Sequence, residues 1–283
     1  MVSVLVSINY LLGIESRISI ISQFSIRFMC FFLMYAVTFI SCYFIHFTIT
    51  KNYIPVSPAF KWLLFIAPAL FALKISSHQV SAPFTASLNI PWNKVWQILL
   101  DWPIKAVLMI MVIYICWKLF GYKNPVAGMT IKNFSLKPYI VLILLLIPFI
   151  FFAATTHDFS VTYPKLKNIF FIKSYTDQFW KYALLYELSY GSDFFSIELF
   201  FRGFVVLAFV RFVGKDAILP MAAFYCSIHF GKPLFECITS YFGGIILGAI
   251  VYRTQSVWGG LVAHLGIAWM MEIAGYGARI SDS

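Results

Sequence analysis

The chain has 283 residues, of which 61% are hydrophobic and only 11% are charged. A soluble domain carries about 25% charged residues, so this chain has too few charges to build a water-facing surface. Its 21 basic and 11 acidic side chains leave a net charge of +10, but no basic cluster interleaves with aromatic residues, which argues against a nucleic-acid partner. The composition therefore predicts an integral membrane protein.

Four apolar stretches in the first half are long enough to cross about 30 Å of hydrocarbon as helices. They cover residues 28–50, 59–76, 92–120 and 138–156. Within the third stretch, Asp101 and Lys105 are placed to pair at i and i+4. Residues 121–137 hold three lysines and no acid, which is typical of a cytoplasmic loop.

From residue 177 onward the apolar stretches are shorter and carry polar residues. We expect helices at 177–190, 193–213, 216–230, 233–254 and 256–275, with a break at Gly191–Asp193. The whole pattern predicts an all-α, polytopic membrane helical bundle of about eight transmembrane helices. We interpret it as one continuous membrane domain, with scaffold helices in 1–176 and the working core in 177–283.

Ionisable residues concentrate in this C-terminal part. Such a group at membrane depth costs several kcal/mol unless it is paired or lines a wet cavity. Several of them close together therefore indicate a shared polar pocket. The residues are Glu187, Glu198, His229, Glu236, His264 and Glu272.

Glu198 and Arg202 are four residues apart on one predicted helix and can form an ion pair. The pair has two interpretations, since it can serve chemistry or only neutralise two buried charges. Glu187 lies eleven residues before Glu198, about 20° from the same face if one helix continues through both. It is equally consistent with a carboxylate at a helix end that faces the headgroups.

His229 lies near a predicted helix end, where a hydrogen-bonded packing role is also common. His264 is more informative, because its apolar and small neighbours offer its ring nitrogens no local partner. Two histidines and a glutamate can bind a divalent metal or activate a water without one. A metal at His229, His264 and Glu198 stays open at this stage, although we expect no cofactor. The five cysteines form no CxxC pair and predict neither a disulfide framework nor a zinc finger.

Three ordered motifs then resemble one known family. They are Glu198-xxx-Arg202, Tyr225-xxx-His229 and His264, and the segments 242–248 and 252–259 are also similar to that family's connecting helices. The chain resembles the CPBP family, which comprises CAAX proteases and bacteriocin-processing enzymes and is also called Abi. The resemblance covers roughly residues 180–275.

The resemblance implies a multi-helix intramembrane endopeptidase. Glu198 or Glu187 would be the base, His229 its partner on the water, and His264 the stabiliser of the oxyanion. Two positions depart from the family pattern: Ile197 stands where the family has the first of two adjacent glutamates, and Ala268 stands where it has an asparagine.

The sequence leaves three functions open. The first is a protease with a rearranged site, acting on a membrane-associated protein or peptide in the lipid bilayer. The second is a non-catalytic relative that binds membrane peptides. The third is a proton- or ion-coupled transporter that uses the same Glu and His residues. We expect a multi-pass protein in the cytoplasmic membrane of a bacterium.

Overall fold

The computed structural model describes residues 1–51, 57–132 and 134–281, with side chains described up to residue 277. All regular secondary structure within these ranges is helical, which confirms the predicted fold class. The α-helices are α1 Val2–Leu12, α2 Ile14–Ser19, α3 Phe24–Thr50, α4 Pro58–Ser76, α5 Ala82–Thr85, α6 Trp92–Leu119, α7 Lys137–Ala153, α8 His157–Thr162, α9 Phe179–Glu198, α10 Ala208–Val213, α11 Ile218–Ser227, α12 Leu234–Thr254 and α13 Trp258–Ser281. A π-helix, Leu199–Leu207, joins α9 to α10, and short 3₁₀ segments lie at Val126–Gly128, Lys165–Ser174 and Gly214–Ala217.

The chain divides into two compact units, each assembled from separate segments. The first unit contains Met1–His78, Val112–Asn133 and Leu199–Val257, and the second contains Gln79–Met111, Phe134–Glu198 and Trp258–Ser283. The predicted division at residue 176 follows a change of composition and stays a prediction.

Four of the described helices are long and apolar enough to cross a membrane: α3, α4, α6 and α12. They correspond to the predicted spans 28–50, 59–76 and 92–120 and to the predicted helix 233–254. The predicted span 138–156 corresponds to α7, which is apolar but has only 17 residues. The number of about eight spans stays a prediction.

The predicted break at Gly191–Asp193 is wrong, because α9 continues without interruption from Phe179 to Glu198. Gly191 lies inside this helix and faces α13, where a Cβ atom would be in ordinary van der Waals contact with Leu265, at 3.4 Å from a methyl carbon. The glycine therefore neither ends the helix nor reverses the chain. One consequence is that Glu187 and Glu198 belong to the same helix.

The core of the first unit is aromatic. Helix α11 packs against both α3 and α12, and the π-helix adds fully buried rings such as Phe200 and Phe201. These two rings meet edge to face at 4.9 Å, and Phe201 makes a similar contact with Phe224 at 5.1 Å. Aromatic pairs of this kind stabilise a core beyond the area they bury.

Small residues let α11 and α12 approach each other. A Cβ atom on Gly244 would lie 3.1 Å from Ala222, and one on Gly248 would collide with Met221. Gly243, the third glycine of α12, has no neighbour within 4 Å among the described atoms. The close approach therefore uses two of the three glycines.

In the second unit, α13 packs against α7 and α9. Its buried core includes Leu99, Tyr186, Tyr190, Phe194 and Ala268. The hydroxyl of Ser189 donates to the carbonyl oxygen of Leu99 at 2.6 Å, which ties α9 to α6. The predicted pair of Asp101 and Lys105 is also present in α6, at 2.7 Å.

Candidate active site

Glu198 and His264 are in direct contact in the second unit. The Nδ1 atom of His264 lies 2.9 Å from Oε1 of Glu198. The glutamate side chain has no exposed surface, whereas that of the histidine is 13% exposed. Because a carboxylate accepts hydrogen bonds, it holds a proton on Nδ1 and turns Nε2 away from itself.

The local packing around this pair is tight. The ring of Phe194, one turn before Glu198 on α9, lies 4.6 Å from the His264 ring between centroids. Gly260, one turn before His264 on α13, faces the carboxylate, and a Cβ atom there would overlap Oε2 of Glu198. A larger residue at position 260 would therefore require the carboxylate to shift.

The first unit brings Arg202, Tyr225 and His229 together. Arg202 is fully buried in the π-helix, and its guanidinium carbon lies 3.9 Å from the centroid of the Tyr225 ring. Such a stacked and desolvated cation–π contact is worth about 2 kcal/mol or more. The predicted ion pair of Arg202 with Glu198 joins residues of different units and stays a prediction.

Tyr225 also holds His229, in two ways. The two rings meet edge to face with centroids 4.7 Å apart, and Nδ1 of His229 lies 2.9 Å from the carbonyl oxygen of Tyr225. A carbonyl oxygen only accepts, so Nδ1 carries a proton in this contact. In the neutral ring the lone pair is then on Nε2, which is the nitrogen that can accept a proton.

The N-terminal helices hold the turn that follows His229. The side-chain amide of Asn9 donates to the carbonyl oxygen of Phe230 at 3.0 Å, and the hydroxyl of Tyr10 donates to that of Lys232 at 2.5 Å. Gly231 packs against the carboxylate of Glu15. Asn9 is only 3% exposed, so its hydrogen bond is made inside the unit and shielded from competing water.

Glu187 lies far from the Glu198–His264 pair along their common helix. Eleven residues of α-helix rise about 16 Å, although the two glutamates share nearly the same face. Its neighbour Tyr186 donates its hydroxyl to the carbonyl oxygen of Lys165 at 2.7 Å. In this part of the unit, α9 is therefore attached to the 3₁₀ segment Lys165–Ser174.

The remaining acidic residues of the predicted pocket have other partners. The carboxylate of Glu272 accepts the backbone N–H groups of Lys165 and Leu166 at 2.7 and 3.1 Å, which caps the first turn of that 3₁₀ segment. Glu236 pairs with Lys232 at 3.6 Å, four residues earlier. Both contacts serve structure.

Within the described residues, no three His, Cys, Asp or Glu side chains come together as a possible metal-binding group. The expectation of no cofactor stays a prediction, as does the metal alternative at His229, His264 and Glu198.

The sequence interpretation did not assign a role to several residues that hold these histidines. In the sequence, Tyr225 is only the first residue of a motif, and Gly260 is only one of the small residues near His264. Asn9 carried a usable signal, since it is the one amide side chain in the mostly apolar α1. Phe194 carried none, because an aromatic residue is ordinary in this chain.

Comparison with known proteins agrees with the resemblance drawn from the motifs. Residues 180–270 match the family model described as type II CAAX prenyl endopeptidase, Rce1-like, which confirms the resemblance to the CPBP family over this segment. No curated protein and no solved structure matched the chain. The matched family and the apolar helices fit an integral membrane protein, and support a CAAX-protease-type membrane endopeptidase at the level of the family.

Proposed function

We propose that the protein hydrolyses a peptide bond of a membrane-associated protein or peptide with a water activated by its Glu and His residues. The observation that carries this proposal is the 2.9 Å contact between His264 and the wholly buried Glu198. A buried carboxylate is costly unless it is paired. A buried carboxylate that orients one partly exposed imidazole is typical of sites in which the histidine is catalytic.

His229 is the proposed acceptor of the water proton. Its Nδ1–H is held by the Tyr225 carbonyl oxygen, so Nε2 of the neutral ring has the lone pair that a general base requires. The water oxygen bonds to the scissile carbonyl carbon while its proton moves to Nε2. When the carbon–nitrogen bond breaks, His229 returns that proton to the leaving amine.

His264 is the proposed donor to the oxyanion of the tetrahedral intermediate. The negative charge of Glu198 offsets a positive charge on the ring, which then donates from Nε2. Glu198 thus acts through His264 and not as the base itself, since its side chain has no exposed surface. That His229 and His264 serve one reaction rests on the resemblance, in which the three motifs do so.

The departures at Ile197 and Ala268 favour a second function, namely binding of membrane peptides without cleavage. Ala268 is buried in the apolar core of the second unit and offers no donor to an oxyanion. Ile197 offers no carboxylate next to Glu198. Losing one oxyanion donor costs about 10²–10³ in rate. The proposed enzyme therefore works with fewer catalytic side chains than the family pattern has, and more slowly.

We place the protein in the cytoplasmic membrane of a bacterium, an assignment supported by the resemblance to a family that includes bacteriocin-processing enzymes. Its proposed partners are the lipid bilayer and a membrane-associated peptide substrate, and its proposed chemistry needs no cofactor.

A cleavage assay on the full chain in lipid nanodiscs tests the proposal. Peptides with a scissile region next to an apolar segment are incubated with wild type, with His264→Gln and with Glu187→Gln, with and without a chelator. His157→Gln is the matched control, because His157 is an exposed histidine at the start of α8. We expect loss of cleavage only in His264→Gln, and cleavage that survives chelation.

Three other results would count against the proposal. Loss of cleavage on chelation, restored by a divalent metal, would favour metal hydrolysis. Loss in Glu187→Gln, with the fold intact, would identify Glu187 as the base. Peptide binding without any cleavage would favour the non-catalytic function, while His264-dependent ion uptake in proteoliposomes without cleavage would favour the transporter.

A further inference from the structure

Two buried thiols flank the turn that carries His229. Cys226 lies one residue before the end of α11 and Cys237 lies in the first turn of α12. Their sulfur atoms are 3.8 Å apart, and neither side chain has exposed surface. Both are thiols in this structure. The remaining cysteines are distributed over α3 and α6, away from this turn in the chain.

A cavity lies against one of these two buried residues. Its volume is about 850 Å³, and its walls come from α1, α3, α11 and α12 of the first unit. Cys226 lines the cavity, whereas Cys237 does not. Cys42 on α3 also lines it, which makes Cys42 the control for a cysteine that borders the same cavity.

We infer that Cys226 and Cys237 are an oxidation site that forms a disulfide bond. A small peroxide that enters the cavity reaches the Cys226 thiol when the cavity wall opens locally and oxidises it to a sulfenic acid, and water is released as the peroxide O–O bond breaks. The Cys237 thiol then attacks the Cys226 sulfur, which forms the S–S bond and releases a second water. The peroxide takes up two electrons, and the two thiols lose two hydrogens.

The bond requires only a small local movement. A disulfide sulfur–sulfur distance is about 2.0 Å, so the two atoms must approach by about 1.8 Å from their 3.8 Å separation. The thiol of Cys226 already points towards Cys237, since it donates to the carbonyl oxygen of that residue at 3.3 Å. That hydrogen bond is lost when the disulfide forms.

The movement reaches His229 through the adjoining residue. Cys226 follows Tyr225, whose carbonyl oxygen holds the His229 ring and whose own ring lies under Arg202. Oxidation therefore displaces the group that positions His229, and we expect cleavage to fall. This effect on activity rests on the proposed function, whereas formation of the bond does not.

The test uses the purified full chain in nanodiscs, treated with hydrogen peroxide, blocked with N-ethylmaleimide and digested without reductant. We expect a cross-linked peptide pair that contains Cys226 and Cys237 and disappears with dithiothreitol. Cys42→Ser should keep this pair. Cys237→Ser should lose it and leave a sulfenic acid on Cys226 that dimedone traps. The wild-type peptide map needs no variant, so it stands even if Cys237→Ser fails to fold.

Activity is measured on the same samples. We expect oxidation to lower cleavage about tenfold, because ångström-scale displacement of a reacting group costs up to about 10²-fold, and dithiothreitol to restore it. A Cys226–Cys42 bond, or maleimide labelling of Cys226 after peroxide, would overturn the oxidation site. A mapped Cys226–Cys237 bond with unchanged cleavage would overturn its effect on His229. A mapped bond in a protein that cleaves nothing would leave the site standing and remove the proposed function.

Discussion

Each of the two units contains one histidine of the candidate active site, His264 in the second unit and His229 in the first. The two histidines differ in the group that contacts Nδ1. In the second unit, Nδ1 of His264 lies 2.9 Å from a carboxylate oxygen of the buried Glu198. In the first unit, Nδ1 of His229 lies 2.9 Å from the backbone carbonyl oxygen of Tyr225, whose ring also packs against the histidine. Under the proposed function, these different partners prepare the same residue type for donation in one unit and for acceptance in the other.

Replacing the acceptor is the strongest test of this difference. His229→Gln keeps a polar side chain but removes the ring nitrogen that takes the proton, so we expect the turnover rate to fall by about 10²–10⁴. Because the proton moves only in the transition state, KM should change little. Steady-state cleavage kinetics in nanodiscs measure both quantities. An unchanged turnover rate would exclude His229 as the general base.

Removing the charge of the carboxylate tests the other histidine. Glu198→Gln keeps the size and the hydrogen bond to His264 but cannot offset a positive ring, so we expect a loss of about 10²–10³ in rate. Glu198→Ala should also destabilise the fold by about 3–5 kcal/mol, since it breaks a buried pair. Thermal unfolding in detergent separates the two effects. Full activity in Glu198→Gln would show that the charge is not needed.

A methyl group next to the carboxylate is a gentler perturbation. Gly260→Ala places a Cβ atom against Oε2 of Glu198, and overpacking of this kind costs about 1–3 kcal/mol. Gly243→Ala is the matched control, because it has open space in the described structure and lies in the first unit. We expect lower cleavage and a lower Tm only in Gly260→Ala. Equal Tm values for the two variants would contradict the tight fit.

The last test concerns the N-terminal helices, which contact the turn that follows His229. Asn9→Ala removes the hydrogen bond to the carbonyl oxygen of Phe230, which costs about 1–3 kcal/mol because that buried carbonyl loses its donor. Gln23→Ala is the control, since its hydrogen bond to Ser25 is exposed. We expect Asn9→Ala alone to lower both Tm and the turnover rate. A lower Tm with an unchanged rate would assign Asn9 to folding and not to positioning His229.

Periodicity and motif spacing predicted much of this molecule. Long apolar runs located the helices α3, α4, α6 and α12, because a membrane span must satisfy its backbone within one continuous segment. The prediction failed at Gly191, where local conformational preference suggested a break. In the structure this position lies inside α9 and packs against Leu265 of α13, a residue more than seventy positions away, and no local rule detects such a contact.

The amino-acid sequence by itself determined the membrane class, the helical architecture and the three motifs that contain Glu198, Arg202, His229 and His264. These depend on composition and on spacing along one chain, which are local properties. Only the tertiary structure decided the partners: that Glu198 bonds to His264, that Arg202 stacks on Tyr225, and that Cys226 lies beside Cys237. Such contacts depend on distances in space, and the packing of helices brings together side chains that lie far apart in the sequence.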